Sequence, residues 1–113
     1  MISTQEIRPN MLANILEPYY PSHPGYILKD EIEFRGISQK NLAAAMDIPY
    51  TLLNEVLNGK RQVNAELALL IEAVLDLPAE SLLSMQARYN MLTTKRNGKF
   101  IEKLSKISKT AVW

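Results

Sequence analysis

Residues 38–59 read SQKNLAAAMDIPYTLLNEVLNG, and this stretch predicts two short helices joined by a tight turn. Ser38 stands at an N-cap position, ahead of an alanine-rich run of strong helix formers. An Asp-Ile-Pro sequence at positions 47–49 interrupts that helix. The second predicted helix, residues 50–57, ends at an Asn-Gly stop signal.

The apolar residues of this stretch predict that the two helices cross. A crossing needs a small residue where the backbones approach, and Ala43 fits that position. It also needs an apolar residue after the turn, Ile48, and inward apolar residues on the second helix, Leu53 and Val56. This pattern is typical of a helix-turn-helix, in which the second helix projects into a DNA major groove.

The rest of the chain extends this pattern to an all-α fold of five helices. Three further helices are predicted at about 24–34, 65–75 and 79–91, and no β-type alternation persists anywhere. We expect a helix-turn-helix domain over residues 23–91 that includes both DNA binding and dimerisation. A proline-punctuated arm over residues 1–22 precedes it.

Residues 92–113 are predicted to be a basic C-terminal extension. Residues 1–85 carry a net charge of −5 and residues 86–113 a net charge of +6. A sixth helix would place four apolar side chains on one face: Phe100, Ile101, Leu104 and Ile107. The extension could be a frayed end, add dimer or partner contacts, or follow DNA phosphates.

Composition narrows the function classes. A chain of 113 residues, 47% hydrophobic and 22% charged, fits one globular domain. The absence of cysteine excludes disulfides and thiolate chemistry. His23 is the lone histidine, and no catalytic, phosphate-loop or metal-ligand pattern is present, so we expect no enzyme, cofactor or metal. No signal peptide or membrane span is predicted, which favours a cytoplasmic protein.

Two groups of residues carry a resemblance to a known family. The repressor-like pattern Ser-Gln-x-x-Leu-Ala, turn, β-branched residue, Asn-Gly-Lys is present between Ser38 and Lys60. The wider frame opens with His-Pro-Gly-x-x-Leu-Lys at residues 23–29 and closes with a Gln-x-x-Tyr element at residues 86–89. Together they resemble the HigA/VapI-type antitoxins with a repressor-like helix-turn-helix domain.

That resemblance implies a function and partners. It implies an antitoxin that neutralises a HigB/RelE-like ribonuclease toxin and represses its own operon as a homodimer on a palindromic operator of double-stranded DNA. Base reading is expected from Tyr50, Thr51, Asn54 and Glu55. Phosphate contact is expected from the flanking residues Gln39, Lys40, Asn58, Lys60 and Arg61. Dimerisation is expected from the fifth helix, through Leu82, Leu83, Gln86 and Tyr89.

The sequence leaves two alternatives open. No lysine or arginine lies between positions 41 and 59, while Asp47 and Glu55 are negative. The chain could therefore be a protein-interaction module that has lost DNA binding. Independently of charge, it could also be a free-standing repressor without a toxin. As a further hypothesis, the acidic residues of the first helix attract a basic toxin: Asp30, Glu31 and Glu33.

Overall fold

The computed structural model describes residues 22–107, which form six α-helices and no strand. The helices are α1 (Pro24–Arg35), α2 (Gln39–Met46), α3 (Tyr50–Leu57), α4 (Ala65–Leu75), α5 (Ala79–Lys95) and α6 (Gly98–Ser105). The all-α prediction is confirmed. The predicted arm lies outside the described residues apart from Ser22, and so does the end of the predicted extension, residues 108–113.

Polar side chains fix where several helices begin. The His23 Nδ1 atom accepts a hydrogen bond from the Gly25 amide at 2.9 Å and so caps α1. The Ser38 hydroxyl accepts from the Asn41 amide at 3.1 Å and caps α2, as the sequence predicts. Asn64 caps α4 in the same way. Each cap satisfies a backbone donor that the first turn leaves without a helical partner.

Asp47 makes the turn between α2 and α3. Its φ of 54° lies in the left-handed region, which a residue other than glycine adopts at a cost of about 1 kcal/mol. The amides of Asp47 and Ile48 donate back to the carbonyls of Ala44 and Ala43, which closes the end of α2. The chain therefore makes the tight turn without glycine.

The core lies where α1 to α5 meet. Helix α3 packs against α1 and α2, α4 packs against α2 and α5, and α5 also contacts α1. The inner side of α3 is fully buried at Leu53, Val56 and Leu57. The other helices contribute mainly branched aliphatic residues, among them Leu28, Ile32, Leu42, Leu67, Ile71, Leu75 and Leu82. Burial of its whole inner side fixes α3 and leaves its outer side available.

The C-terminal helices differ in extent from the prediction. Helix α5 continues to Lys95, four residues past the predicted end. Leu92 is buried, and the Thr93 hydroxyl donates to the Tyr89 carbonyl at 2.9 Å within the last turns. Helix α6 follows in the predicted extension and packs mainly against α5. Within residues 22–107, no helix is long and apolar enough to cross a membrane.

Candidate nucleic-acid interface

The outer side of α3 is open to solvent. Tyr50 is 49% exposed, Thr51 is exposed, and Asn54 and Glu55 are half-buried. These four predicted base-reading residues lie within two turns of one helix, opposite the buried side. The structure therefore brings them together on one surface that a duplex could reach.

Helix α1 supports α3 from behind through a close backbone contact. A Cβ atom added to Gly25 would lie 1.8 Å from the Val56 carbonyl oxygen, so only glycine fits there. Just beyond the same end of α3, Gly59 adopts a φ of 73° and packs against the Tyr26 ring. The Tyr26 hydroxyl donates to the Asn58 carbonyl at 3.4 Å. These contacts set the position of α3 on the domain.

Three side-chain amides and one lysine form a hydrogen-bonded series that we call the amide chain. Lys29 Nζ donates to Asn58 Oδ1 at 3.4 Å, and Asn58 Nδ2 donates to Asn54 Oδ1 at 3.2 Å. Asn54 Nδ2 then donates to Gln39 Oε1 at 2.9 Å. The amide chain joins α1, α3 and α2, and three predicted site residues belong to it.

Sequence reasoning missed Lys29 as a site residue. Lys29 lies on α1, outside the stretch of residues 38–61 that contains the predicted DNA contacts, yet its ammonium group reaches the end of α3. The signal was present: Lys29 closes the motif at residues 23–29 and directly follows the buried Leu28. Lys29 was missed because it lies outside the helix-turn-helix in the sequence, although a lysine is a residue type that suits such a site.

An ion pair occupies the edge of the same surface. Glu55 Oε1 accepts from Arg61 Nε at 2.9 Å and from Arg61 Nη2 at 2.8 Å. Both side chains are about half exposed, at 46% for Glu55 and 53% for Arg61. In this pair Glu55 neutralises the charge of Arg61, which is one of the predicted phosphate contacts. The two lysines predicted to contact phosphate, Lys40 and Lys60, are exposed. Surface pairs of this kind are weak, so Arg61 can exchange partners at little cost.

His23 anchors the start of the domain behind this surface. Its ring is buried, and it meets the Tyr89 ring edge-on with centroids 5.0 Å apart. Burial lowers the pKa of His23, and a hydrogen bond to the Arg61 backbone offsets part of that effect. A neutral imidazole can accept from the Gly25 amide, so the cap of α1 requires the deprotonated ring.

The predicted dimerisation residues are not equally accessible. Leu82 is only 2% exposed and belongs to the core, and the Gln86 side chain is 4% exposed. Gln86 Oε1 accepts from the buried Val63 amide at 2.9 Å. Leu83 and Tyr89 are half-buried. Leu82 and Gln86 therefore serve the interior of the protomer, and a direct role in a dimer stays a prediction for Leu83 and Tyr89.

Comparison with known proteins places this architecture in a family. The profile of the helix-turn-helix family matches residues 28–82. An addiction module antidote protein of the HigA family from Coxiella burnetii has 33% sequence identity and a TM-score of 0.68, over 79% of this chain and 97% of that one. The chain belongs to the HigA family of helix-turn-helix proteins.

Other relatives of this HigA-family chain agree with the assignment. Antitoxin HigA of Pseudomonas aeruginosa, solved with the higBA promoter, has 30% identity and a TM-score of 0.69 over 80% of this chain and 98% of that one. Virulence-associated protein A' of Dichelobacter nodosus is 35% identical over 72 residues. That match covers 63% of this chain and spans 63% of the length of the relative. The predicted resemblance and the predicted non-enzymatic class are confirmed.

Proposed function

We propose that this HigA-family protein binds double-stranded DNA upstream of its own gene and represses that gene, in the cytoplasm where the DNA lies. The exposed outer side of α3, with the buried side fixed by α1 and α2, is the observation that carries the proposal. An α-helix fits the major groove of B-form DNA, where base edges can be distinguished.

The residues of this surface divide by chemistry. Thr51 can contact a thymine methyl group, Glu55 can accept from a cytosine amino group, and Tyr50 lies beside them at the start of α3. The exposed amines of Lys40 and Lys60 flank α3 and suit phosphate oxygens. Lys29 adds a third cation, although its position was not expected from the sequence. The relative from Pseudomonas aeruginosa with a promoter in its structure supports the same role.

The DNA proposal is tested by fluorescence anisotropy with the upstream region of the gene. With Lys40, Lys60 and Arg61 each engaging one phosphate, a dimer makes about six charged contacts, which predicts a slope of log affinity against log salt of roughly −5. Lys60→Gln should make that slope shallower by about 2 per dimer. A slope near zero, or equal affinity for unrelated DNA, would contradict sequence-specific binding and favour a protein-interaction module.

We infer a homodimer, because the palindromic operator that the family resemblance implies has two equivalent half-sites. Leu83 and Tyr89 on α5 remain partly accessible for such a contact. The apolar face of α6 offers a second candidate area, with Phe100, Ile101 and Leu104 each between 40% and 49% exposed. Sedimentation of the unmodified protein against Leu104→Asp separates the two areas. A dimer that survives this substitution excludes the apolar face of α6 as the contact, whereas a monomeric unmodified protein rejects the homodimer.

We further propose that the protein is an antitoxin for a HigB/RelE-like toxin. The support is the naming of its relatives as antidote and antitoxin proteins. Expression of the neighbouring gene alone should arrest growth, and co-expression of this protein with it should restore growth. If no adjacent gene is toxic while operator binding persists, the protein is a free-standing repressor. Reversing the charge of Asp30, Glu31 and Glu33 together tests whether this acidic face of α1 attracts the toxin.

A further inference from the structure

The amide chain has a direction that its neighbours impose at Asn58. The Lys29 ammonium group can only donate, so the atom of Asn58 that faces it must be the oxygen, 3.4 Å away. The backbone carbonyl of Asn54 can only accept, so the atom of Asn58 that lies 2.9 Å from it must be the amide nitrogen. The two neighbours are independent, and both require the same orientation of the Asn58 amide.

This orientation is transmitted along α3 to α2. Asn58 Nδ2 also donates to Asn54 Oδ1 at 3.2 Å, which leaves the amide nitrogen of Asn54 to donate to Gln39 Oε1 at 2.9 Å. A reversal of the Asn54 amide would set donor against donor at Asn58 and acceptor against acceptor at Gln39. The orientation of Gln39 on α2 is therefore determined by a lysine on α1, through Asn58 and Asn54.

Gln39 forms the outer end of the amide chain. Its oxygen is occupied by Asn54, so its amide nitrogen carries the N–H groups available to a ligand. The residue is half-buried in the first turn of α2, beside the exposed Lys40. An N–H donor next to a lysine matches a phosphate oxygen of DNA, which accepts only.

We propose that Asn54 is a positioning residue of the DNA interface. It holds Gln39 so that the Gln39 amide nitrogen donates to a phosphate, and Asn54 itself reads no base. The inference rests on the proposed DNA-binding function. It gives Asn54 a different role from the base reading that its residue type and its place on α3 predicted. Base readout on α3 is then left to Tyr50, Thr51 and Glu55.

A double-mutant cycle on the full chain tests the proposal. Asn54→Leu, close to asparagine in size, and Gln39→Ala are each expected to weaken binding to the upstream DNA about three- to tenfold, the range for one neutral hydrogen bond. The double variant should bind no more weakly than either single variant, because both remove the same contact. Thr51→Ala is the control on the same helix, and its effect should multiply with that of Gln39→Ala.

Two further readouts separate positioning from loss of structure. Asn54→Leu should weaken binding by the same factor on operators in which single base pairs have been replaced, whereas Thr51→Ala should alter the preference at one position. Without DNA, Asn54→Leu should shift the Gln39 side-chain amide resonances in ¹⁵N NMR spectra while the backbone spectrum stays folded.

The outcomes are distinct. Multiplying effects of Asn54→Leu and Gln39→Ala, or an altered base preference in Asn54→Leu, overturn the positioning role and leave the proposed DNA binding intact. Failure of the unmodified protein to bind its upstream DNA overturns the proposed function and this inference together.

Discussion

The backbone of Gly25 contacts the backbone carbonyl of Val56 with no room for a side chain between them. A Cβ atom at position 25 would lie 1.8 Å from the Val56 oxygen, and the obstacle is backbone that cannot rotate away. Gly25 follows the His23 cap by two residues, and Val56 lies on the fully buried side of α3. The position of α3, and of the candidate interface on it, therefore depends on the absence of a side chain at Gly25.

We predict that Gly25→Ala destabilises the fold by about 3 kcal/mol, because α1 and α3 must separate to admit the methyl group. Urea denaturation followed by circular dichroism measures the change. Gly98→Ala is the matched control, since nothing lies within 4 Å of a Cβ there and its φ is not positive. A Gly25→Ala protein as stable as the control would show that the contact is not a constraint.

Stability should fall as the pH falls below about 6.5, the usual pKa of histidine. Burial lowers the pKa of His23 in the folded chain, so the unfolded chain binds the proton more readily. The contribution of the neutral ring is complete above the unfolded pKa, and it is lost as the pH falls towards the folded one. Protonation also removes the acceptor for the Gly25 amide.

His23→Asn checks this pH dependence. Asparagine can still cap α1 but does not titrate in this range, so the variant should lose the fall in urea midpoint between pH 7.5 and pH 5.5. Its midpoint at pH 7.5 should also be lower, because the ring contact with Tyr89 is removed. An equal fall in both proteins would assign the dependence to other groups.

Gln86→Leu should cost about 1–3 kcal/mol, because it leaves the buried Val63 amide without its acceptor. Asn90→Ala is the control, since it removes the outer partner of the Gln86 amide nitrogen and an exposed bond to Gln62 but leaves the bond to Val63 in place. We expect it to cost about 1 kcal/mol or less, because water can reach the side of Gln86 that Asn90 leaves and can replace the bond to Gln62. Equal losses in the two variants would mean that the bond to Val63 is not the important one.

The sequence predicted most of the fold because local signals and tertiary packing agree there. Apolar spacing, a serine cap and an Asn-Gly stop define α2 and α3, and both helices have the predicted bounds. The end of α5 was predicted too early because residues 93–96 are polar. Burial of Leu92 and the bond from the Thr93 hydroxyl extend that helix, and neither is a local sequence signal.

The candidate site was less predictable for the same reason. Residue type placed Tyr50, Thr51 and Glu55 on an outer helical face, and the structure has them there. The amide chain depends on how α1, α2 and α3 meet, so the part of Lys29 in it could not be deduced from spacing within the helix-turn-helix. Likewise, Gln86 was predicted to be a dimer contact, and its bond to Val63, 23 residues away in the sequence, places it in the interior instead.

Glu55→Gln should strengthen binding to unrelated DNA and reduce the preference for the operator. Without the carboxylate, Arg61 can contact a phosphate without first breaking its ion pair, and each protomer presents one negative charge less to the DNA, so affinity for unrelated DNA should rise. The same substitution removes the acceptor proposed for a cytosine amino group. Anisotropy titrations over a range of salt concentrations on both DNAs measure the two effects.

Glu102→Gln provides the control for net charge. Glu102 pairs with Lys106 at 3.4 Å on α6, so the variant makes the same charge change away from α3. Stability should change by less than about 0.5 kcal/mol in both proteins, since both pairs are exposed. An equal gain in affinity for unrelated DNA in the two variants would show that the Glu55–Arg61 pair has no special effect on DNA binding.

The geometry of α5 bears on how two ligands could share this molecule. Its 17 residues make a rod of about 26 Å that starts within the core and carries α6 beyond it. A duplex bound along α3 and a protein bound on α6 would contact different helices, so neither would need the binding residues of the other. Regulation by such a partner would work through the stoichiometry of a ternary assembly rather than through competition for one surface.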